Sequence, residues 1–215
     1  MEQIVIWGTG AHAVAIVDAI KEKCEPQVWA LICENGAARE EWSRSGLRII
    51  VKEDLPEARD FGVRRLIVAI SDNSARASCA RWVNDQGFSL LAVVHPRAVI
   101  SPSAEIGKGS FVEAGAVINP GARIGEAVFV GSGASIDHDC QIEDAASIAA
   151  GVILGGVVTV GKRSRLDHGT CVRDGVTIGH DAVITMGSAV VSNIGDGVTA
   201  AGVPARPIEQ GMAHE

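Results

Sequence analysis

His138-Asp139 is the pair in this chain best suited to moving a proton. An unperturbed imidazole titrates near pH 6.5, so at neutral pH one ring nitrogen accepts a proton. A carboxylate on the other nitrogen would fix the tautomer and make the ring more basic. Such a pair suits general base catalysis toward an amine or hydroxyl that attacks an activated carbonyl. The plainer reading is an exposed histidine, one of six in the chain. A second cluster, Gly8-Thr9-Gly10-Ala11-His12-Ala13, has the G-x-G-x-x-A form and follows the apolar run Gln3–Trp7. Between a strand and a helix, that turn offers backbone N–H groups to a pyrophosphate. It could equally be no more than a tight turn. Glu34 and Asn35 follow the next apolar run, about where an acidic group meets a ribose or base.

These groups need scaffolds, and the chain supplies two. Gln3–Trp7, Pro26–Ile32, Arg65–Ile70 and Leu90–Val94 read as strands, and Ala13–Lys23 and Ser74–Gln86 as helices. Alternating strands and helices predict a parallel sheet with helices over it, a small Rossmann-like α/β unit across residues 1–96. A unit this short is only part of a dinucleotide domain, so it fits a mononucleotide portion better than NAD.

From Ile100 a different rule takes over. Stepping by six to Val190 meets Ile, Val or Leu at all sixteen positions. Four residues after each stands a residue of small or modest volume, apart from Ile194. One large and one small inward residue per six is the pattern of a parallel β-helix, with three hexads closing an eighteen-residue coil. The pattern fails at Asp196, where the prism is expected to end. Glycines just after the aliphatic, as at 107, 125, 131, 155, 161 and 179, fit turns that need positive φ. Six of 25 glycines precede residue 96 and all four tryptophans lie in the first half, which places the boundary near His95-Pro96 and gives the prism residues 97–215.

Composition removes several classes of function. A net charge of −7 argues against a general phosphate-backbone binder, so no nucleic-acid partner is expected. No apolar run could span a membrane, and no secretory signal is visible, so the cytoplasm is the expected compartment. The five cysteines have no C-x-x-C spacing and read as reduced thiols.

Together, Ile6–Ala13, Ala69–Asn73 with Arg76, Val94-His95-Pro96, Ile136–Cys140 and Ala201–Arg206 resemble the NeuD/PglD type of hexapeptide-repeat sugar acetyltransferases. The resemblance spans nearly the whole chain. It implies a left-handed β-helix, a homotrimer, and acetyl-CoA lying between neighbouring prisms, with no metal. It implies N-acetylation of a nucleotide-diphospho-amino-sugar, with the 4-amino group favoured and perosamine or bacillosamine precursors the sugar class. His138 would be the general base and Asp139 its orienting group. Gly8, Gly10, Ala11, His12, Cys33, Glu34, Asp72 and Asn73 would bind the nucleotide sugar. Cys33 and Glu34 stand where the family often has two aspartates facing the base, which leaves UDP, GDP and dTDP open. Ser147, Gly156, His168, Met186, Gly202 and Arg206 would meet acetyl-CoA, with Gly156 at the oxyanion. Ser147 and Met186 depart from the histidine and glycine common in the family.

Other activities weigh less. O-acetylation of a sialic-acid-like sugar is the alternative within the family. A γ-class carbonic anhydrase shares the prism but needs three converging histidines. His138, His168 and His180 are 30 and 12 residues apart, which forms no such triad. A sugar-nucleotide-binding scaffold without chemistry would have no use for His138-Asp139.

Overall fold

The computed structural model describes residues 2–23, 26–33, 42 and 45–208. The first unit is a parallel sheet of β1 (Gln3–Trp7), β2 (Gln27–Ile32), β3 (Arg48–Ile50), β4 (Arg65–Val68) and β5 (Ser89–Leu90), in the order β3-β2-β1-β4-β5. A parallel sheet buries both faces. Helix α1 (Ala11–Lys23) packs Ala13, Ile16, Val17 and Ile20 with Ile4, Ile6, Leu31 and Ile67. Helix α2 (Asn73–Asp85) packs Ala80 and Val83 with Val5, Leu66 and Val68. A 3-10 helix over Lys52–Arg59, which the sequence pattern does not signal, adds Leu55 and Ala58 to that second cluster. Strand order reverses between β1 and β4, and such a switch point opens a crevice at the carboxyl ends of the strands. The loops Gly8–Gly10 and Ile70–Asp72 meet there.

The run Leu90–Val94 is not one strand. Ser89–Leu90 ends the sheet, whereas β6 (Val93–Val94) pairs with Phe111–Val112 and opens the second unit. Val94 lies six before Ile100, so the coil starts one hexad earlier than the run counted from Ile100.

The second unit is the left-handed parallel β-helix. Two-residue strands recur every six residues and pair eighteen apart, as Val117↔Ser135↔Ile153. The first face runs from β6 through Phe129–Val130, Ser147–Ile148 and Arg165–Leu166 to Thr199–Gly202. The second runs from Val99–Ile100 to Ala189–Val190, and the third from Glu105–Ile106 to Thr177–Ile178. The second residue of nearly every strand is buried, and these aliphatics fill the prism with the small residues of the corners.

Two kinds of corner position carry constraints, and they are not the same residues. Every sixth residue from 109 to 187 has positive φ, including Gly121, Ala127, Asp139, Ala145, Val157 and Asp181. The glycines directly after the aliphatic do not share that conformation, contrary to the sequence expectation. They are glycine because the next coil passes too close: a Cβ on Gly131 would lie 2.5 Å from the backbone nitrogen of Ala150. The coil also continues past Asp196. Ile178 bridges Ile194 and Val183 pairs with Thr199, a step of sixteen in place of eighteen. The last coil is therefore two residues short, and Ile194 is buried where the shortened path brings it inward. An antiparallel hairpin, Thr199–Gly202 with Ala205–Pro207, closes this end.

Ile136 is fully buried in the middle of the stack. Ile136→Ala should destabilise the protein by about 2–5 kcal/mol in denaturant unfolding. A loss near zero would show that the column is not close-packed.

Candidate active site

His138 lies in the corner between the second and third faces, two residues after Ile136. Its Nδ1 is 2.9 Å from Asp139 Oδ2. With Nδ1 donating there, Nε2 is left to accept a proton. Asp139 occupies one of the obligatory left-handed corner positions, at φ 56°, and its backbone N–H donates to Pro120 O. Its carboxylate lies over Gly121, where a Cβ would collide with it. The imidazole lies over Gly156, one coil on, where a Cβ would stand 2.5 Å from Nε2. The hydrogen bond that Nδ1 donates to Asp139 raises the pKa of His138, and Asp137 and Asp174 add to the effect.

Gly156 is thus required beneath the ring. Its N–H is not open as an oxyanion donor in this structure, because it donates to Asp174 Oδ1 at 3.2 Å. Asp174 was not among the expected site residues, although stepping twice by eighteen from His138 reaches it.

The first unit docks on the first face and on the corner between the third and first faces. Arg76, on α2, is 2% exposed and makes the main connection. Its guanidinium donates to Ile70 O and Ser71 O, to Ala127 O, Ala145 O and Ala146 O of the prism, and to Asn73 Oδ1 and Ser147 Oγ. Burial holds its pKa down to about 10. Asn73 completes the junction by donating to Arg163 O and Ser164 O and accepting from Ser147 Oγ.

Several expectations change as a result. Both ends of the Asn73 amide are used within the protein, so it is a docking residue in place of a substrate contact. Ser147 is buried in the same network. Asp72 caps α2, accepting from Ala75 N at 2.7 Å. Cys33 is buried behind the glycine loop, with Thr9 Oγ1 directed at its sulfur, and does not face a base from the surface. Glu34 lies outside the described residues. Gly8 is fixed by geometry, since at φ 133° a Cβ would be 2.5 Å from Ala69 O. Gly10 O accepts from Ala13 N and Val14 N, which starts α1, and Ala11 is exposed at its tip.

A cavity of about 340 Å³ joins the two units. Ala11, His12 and Ser71 line one side, and Phe129, Ser147, Arg165, Asp167 and His168 are on the prism side. His12 stacks on Phe129 with ring centroids 4.3 Å apart. Burial lowers its pKa, and Arg76 lowers it further. His168 and Met186 stand on the corner between the first and second faces, linked by Gly187 N donating to His168 O. Gly202 is tied to the same corner through Ser188 Oγ, and Arg206 lies exposed on the closing hairpin. The expected acetyl-CoA set is therefore divided. His168, Met186 and Gly202 follow one corner, whereas Gly156 shares another with His138. His180 is on the third corner, so the three prism histidines cannot converge on a metal within one chain. Sequence reading also missed Phe129, Arg165 and Asp167 in the cavity. The eighteen-residue step Phe129, Ser147, Arg165 aligns them, but nothing in the sequence says which face the first unit covers.

The coupling of the pair can be read directly. Asp139→Asn should move the His138 titration midpoint to lower pH in imidazole proton NMR. An unchanged midpoint would show that Asp139 does not govern the ring.

The family model of the PglD N-terminal domain matches residues 3–83, and that of the bacterial transferase hexapeptide (six repeats) matches residues 121–156. A perosamine N-acetyltransferase from Caulobacter crescentus, solved as a histidine-to-asparagine variant with CoA and GDP-perosamine, is 36% identical with a TM-score of 0.92, and 98% of each chain is covered. The acetyltransferase domain of PglB from Neisseria gonorrhoeae is 29% identical with a TM-score of 0.86, covering 97% of this chain and all of that one. Comparison with curated sequences gave no match. By this likeness over its full length, the chain belongs to the NeuD/PglD-type sugar acetyltransferases.

Proposed function

We propose that this protein transfers the acetyl group of acetyl-CoA to the amino group of a nucleotide-diphospho-sugar. The observation that carries the reading is His138, with Nδ1 held by Asp139 and Nε2 exposed over Gly156. The amine nitrogen attacks the thioester carbonyl, and Nε2 takes the proton that it sheds. The tetrahedral intermediate collapses, the C–S bond breaks, and the CoA thiolate leaves. The solved Caulobacter complexes support this, since variants at one histidine hold both CoA and GDP-perosamine. The same likeness favours GDP as the nucleotide and the 4-amino group of a perosamine-type sugar as acceptor.

The distribution of the groups supports the homotrimer that the family resemblance implies. The loop Gly8–His12 faces the first face of its own prism, whereas His138 stands at the opposite edge of the second. A nucleotide sugar held by one chain is therefore served by the His138 corner of a neighbour. The second face presents Val99, Val117, Ser135, Ile153, Cys171 and Ala189 outward, an apolar strip with Val99 and Ile153 well exposed. The third face presents Glu105, Arg123, Gln141, Thr159 and Thr177. Contact between copies through the second face would bring neighbouring corners together. Thiols at Cys33, Cys140 and Cys171 fit a cytoplasmic setting. Among the described residues, no helix is long and apolar enough to cross a membrane.

Turnover of GDP-perosamine with acetyl-CoA tests the reading. His138→Ala should lower kcat by roughly 10²–10⁴-fold. Survival within a few-fold would remove His138 as the base. Gly156→Ala should lower kcat by about 10²-fold, because a displaced ring loses its attack geometry. The wild-type rate should persist in chelator, and a loss that added metal restores would show a metal requirement.

A further inference from the structure

The cavity between the two units has walls of different chemistry. On one side stand Ala11 and His12, at the first turn of α1, with Ser71 beside them. That turn contains no acidic residue of its own, which favours an anion at its N-terminus, and the carboxylate acting on His12 is Glu113 of the prism. On the prism side, Arg165 Nε meets Asp167 Oδ1 at 3.0 Å. The Arg165 side chain is 55% exposed and the Asp167 side chain is 23% exposed, and neither belongs to a hydrophobic core cluster. Glu113 also lines this side, but one of its oxygens already accepts from Ser132 N and Oγ. Among the described residues, Asp167 Oδ2 takes part in no hydrogen bond.

Phe129, Ser147 and Arg165 pair in register on successive coils. Strands lie about 4.8 Å apart, so Arg165 stands about 10 Å along the prism from Phe129, on which His12 stacks. The N-terminal turn of α1 suits phosphate, and the Arg165–Asp167 end is two coils further on. The Asp167 carboxylate there would oppose a second phosphate. It suits a hydroxyl donor, and the guanidinium beside it suits a hydroxyl acceptor. His168, also in the cavity, marks the direction of the outer corner.

We infer that the Arg165–Asp167 pair grips the sugar ring of the nucleotide-diphospho-sugar and helps decide which sugar is accepted. This deepens the proposed function, and it rests on that reading for the identity of the ligand. Asp167 accepts from one ring hydroxyl, and Arg165 donates to another while holding Asp167 in place.

The test compares ligands with and without the sugar. GDP-mannose and GDP are titrated calorimetrically into wild type, Arg165→Met and Asp167→Asn. Wild type should bind GDP-mannose at least tenfold more tightly than GDP. Both variants should lose most of that margin and keep their GDP affinity within about twofold. In turnover, KM for GDP-perosamine should rise at least tenfold while KM for acetyl-CoA stays within twofold. An equal loss for GDP and GDP-mannose would show that the pair serves the diphosphate, and overturns the proposal. So would a rise in KM for acetyl-CoA alone, which would assign it to CoA, or an unchanged margin. The binding arm needs no turnover. If wild type transfers no acetyl group but the sugar-dependent margin behaves as expected, the catalytic reading fails and this one stands.

Discussion

The architecture depends on a buried cation with no carboxylate in its hydrogen-bond shell. A guanidinium taken out of water loses its hydration, and that loss must be offset by well-placed acceptors. Arg76 finds them mainly on backbone: Ile70 O and Ser71 O from its own unit, and Ala127 O, Ala145 O and Ala146 O from the prism. Asp72 favours the charge from nearby, and burial still lowers its pKa to about 10. Ala127 and Ala145 are corner residues with positive φ. The regular corners of the coil thus present a ladder of carbonyls, and one side chain of the first unit reads two rungs of it. Because Ser71 also lines the cavity, the same contact that docks the units sets one of its walls.

The repeat explains the geometry around His138. A coil of eighteen residues places His138, Gly156 and Asp174 in one column, and Gly121 and Asp139 in the neighbouring column. Side chains in such a column would collide if each carried a Cβ directed at the next. Glycine at 121 and 156 removes the atoms that would occupy the space of the Asp139 carboxylate and the His138 ring. The left-handed conformation of Asp139 is required by the corner in every hexad from 109 to 187. A scaffold constraint therefore becomes a catalytic one: the corner residue that must turn is also the one that holds Nδ1.

Periodicity made the prism legible, and with it the column from His138 to Gly156. The sheet, its two helices and the glycine loop were legible from apolar runs and from G-x-G-x-x-A. Docking was not, because no local rule relates a residue on α2 to a corner ninety positions away. Asn73 donates to Arg163 O across that separation. Hence the junction roles of Asn73 and Ser147 were hidden in the sequence. Cys33 failed for a related reason: its place after β2 was visible, but its direction behind the glycine loop was not. Arg165 and Asp167 look like any charged pair on a solvated strand until the first unit is seen to cover that face.

The division of the site follows from the same docking. Arg76 fixes the first unit on the first face, which leaves the second face and its His138 corner uncovered by that contact. Moving His138 to the docked corner would place it among the Arg76 hydrogen bonds, where a titrating group would face a buried cation. The arrangement separates the two electrostatic tasks. A lowered-pKa environment surrounds His12 beside Arg76, and a raised-pKa environment surrounds His138 among Asp137, Asp139 and Asp174. A histidine held toward its neutral form and one held toward its charged form thus stand at different parts of the prism surface.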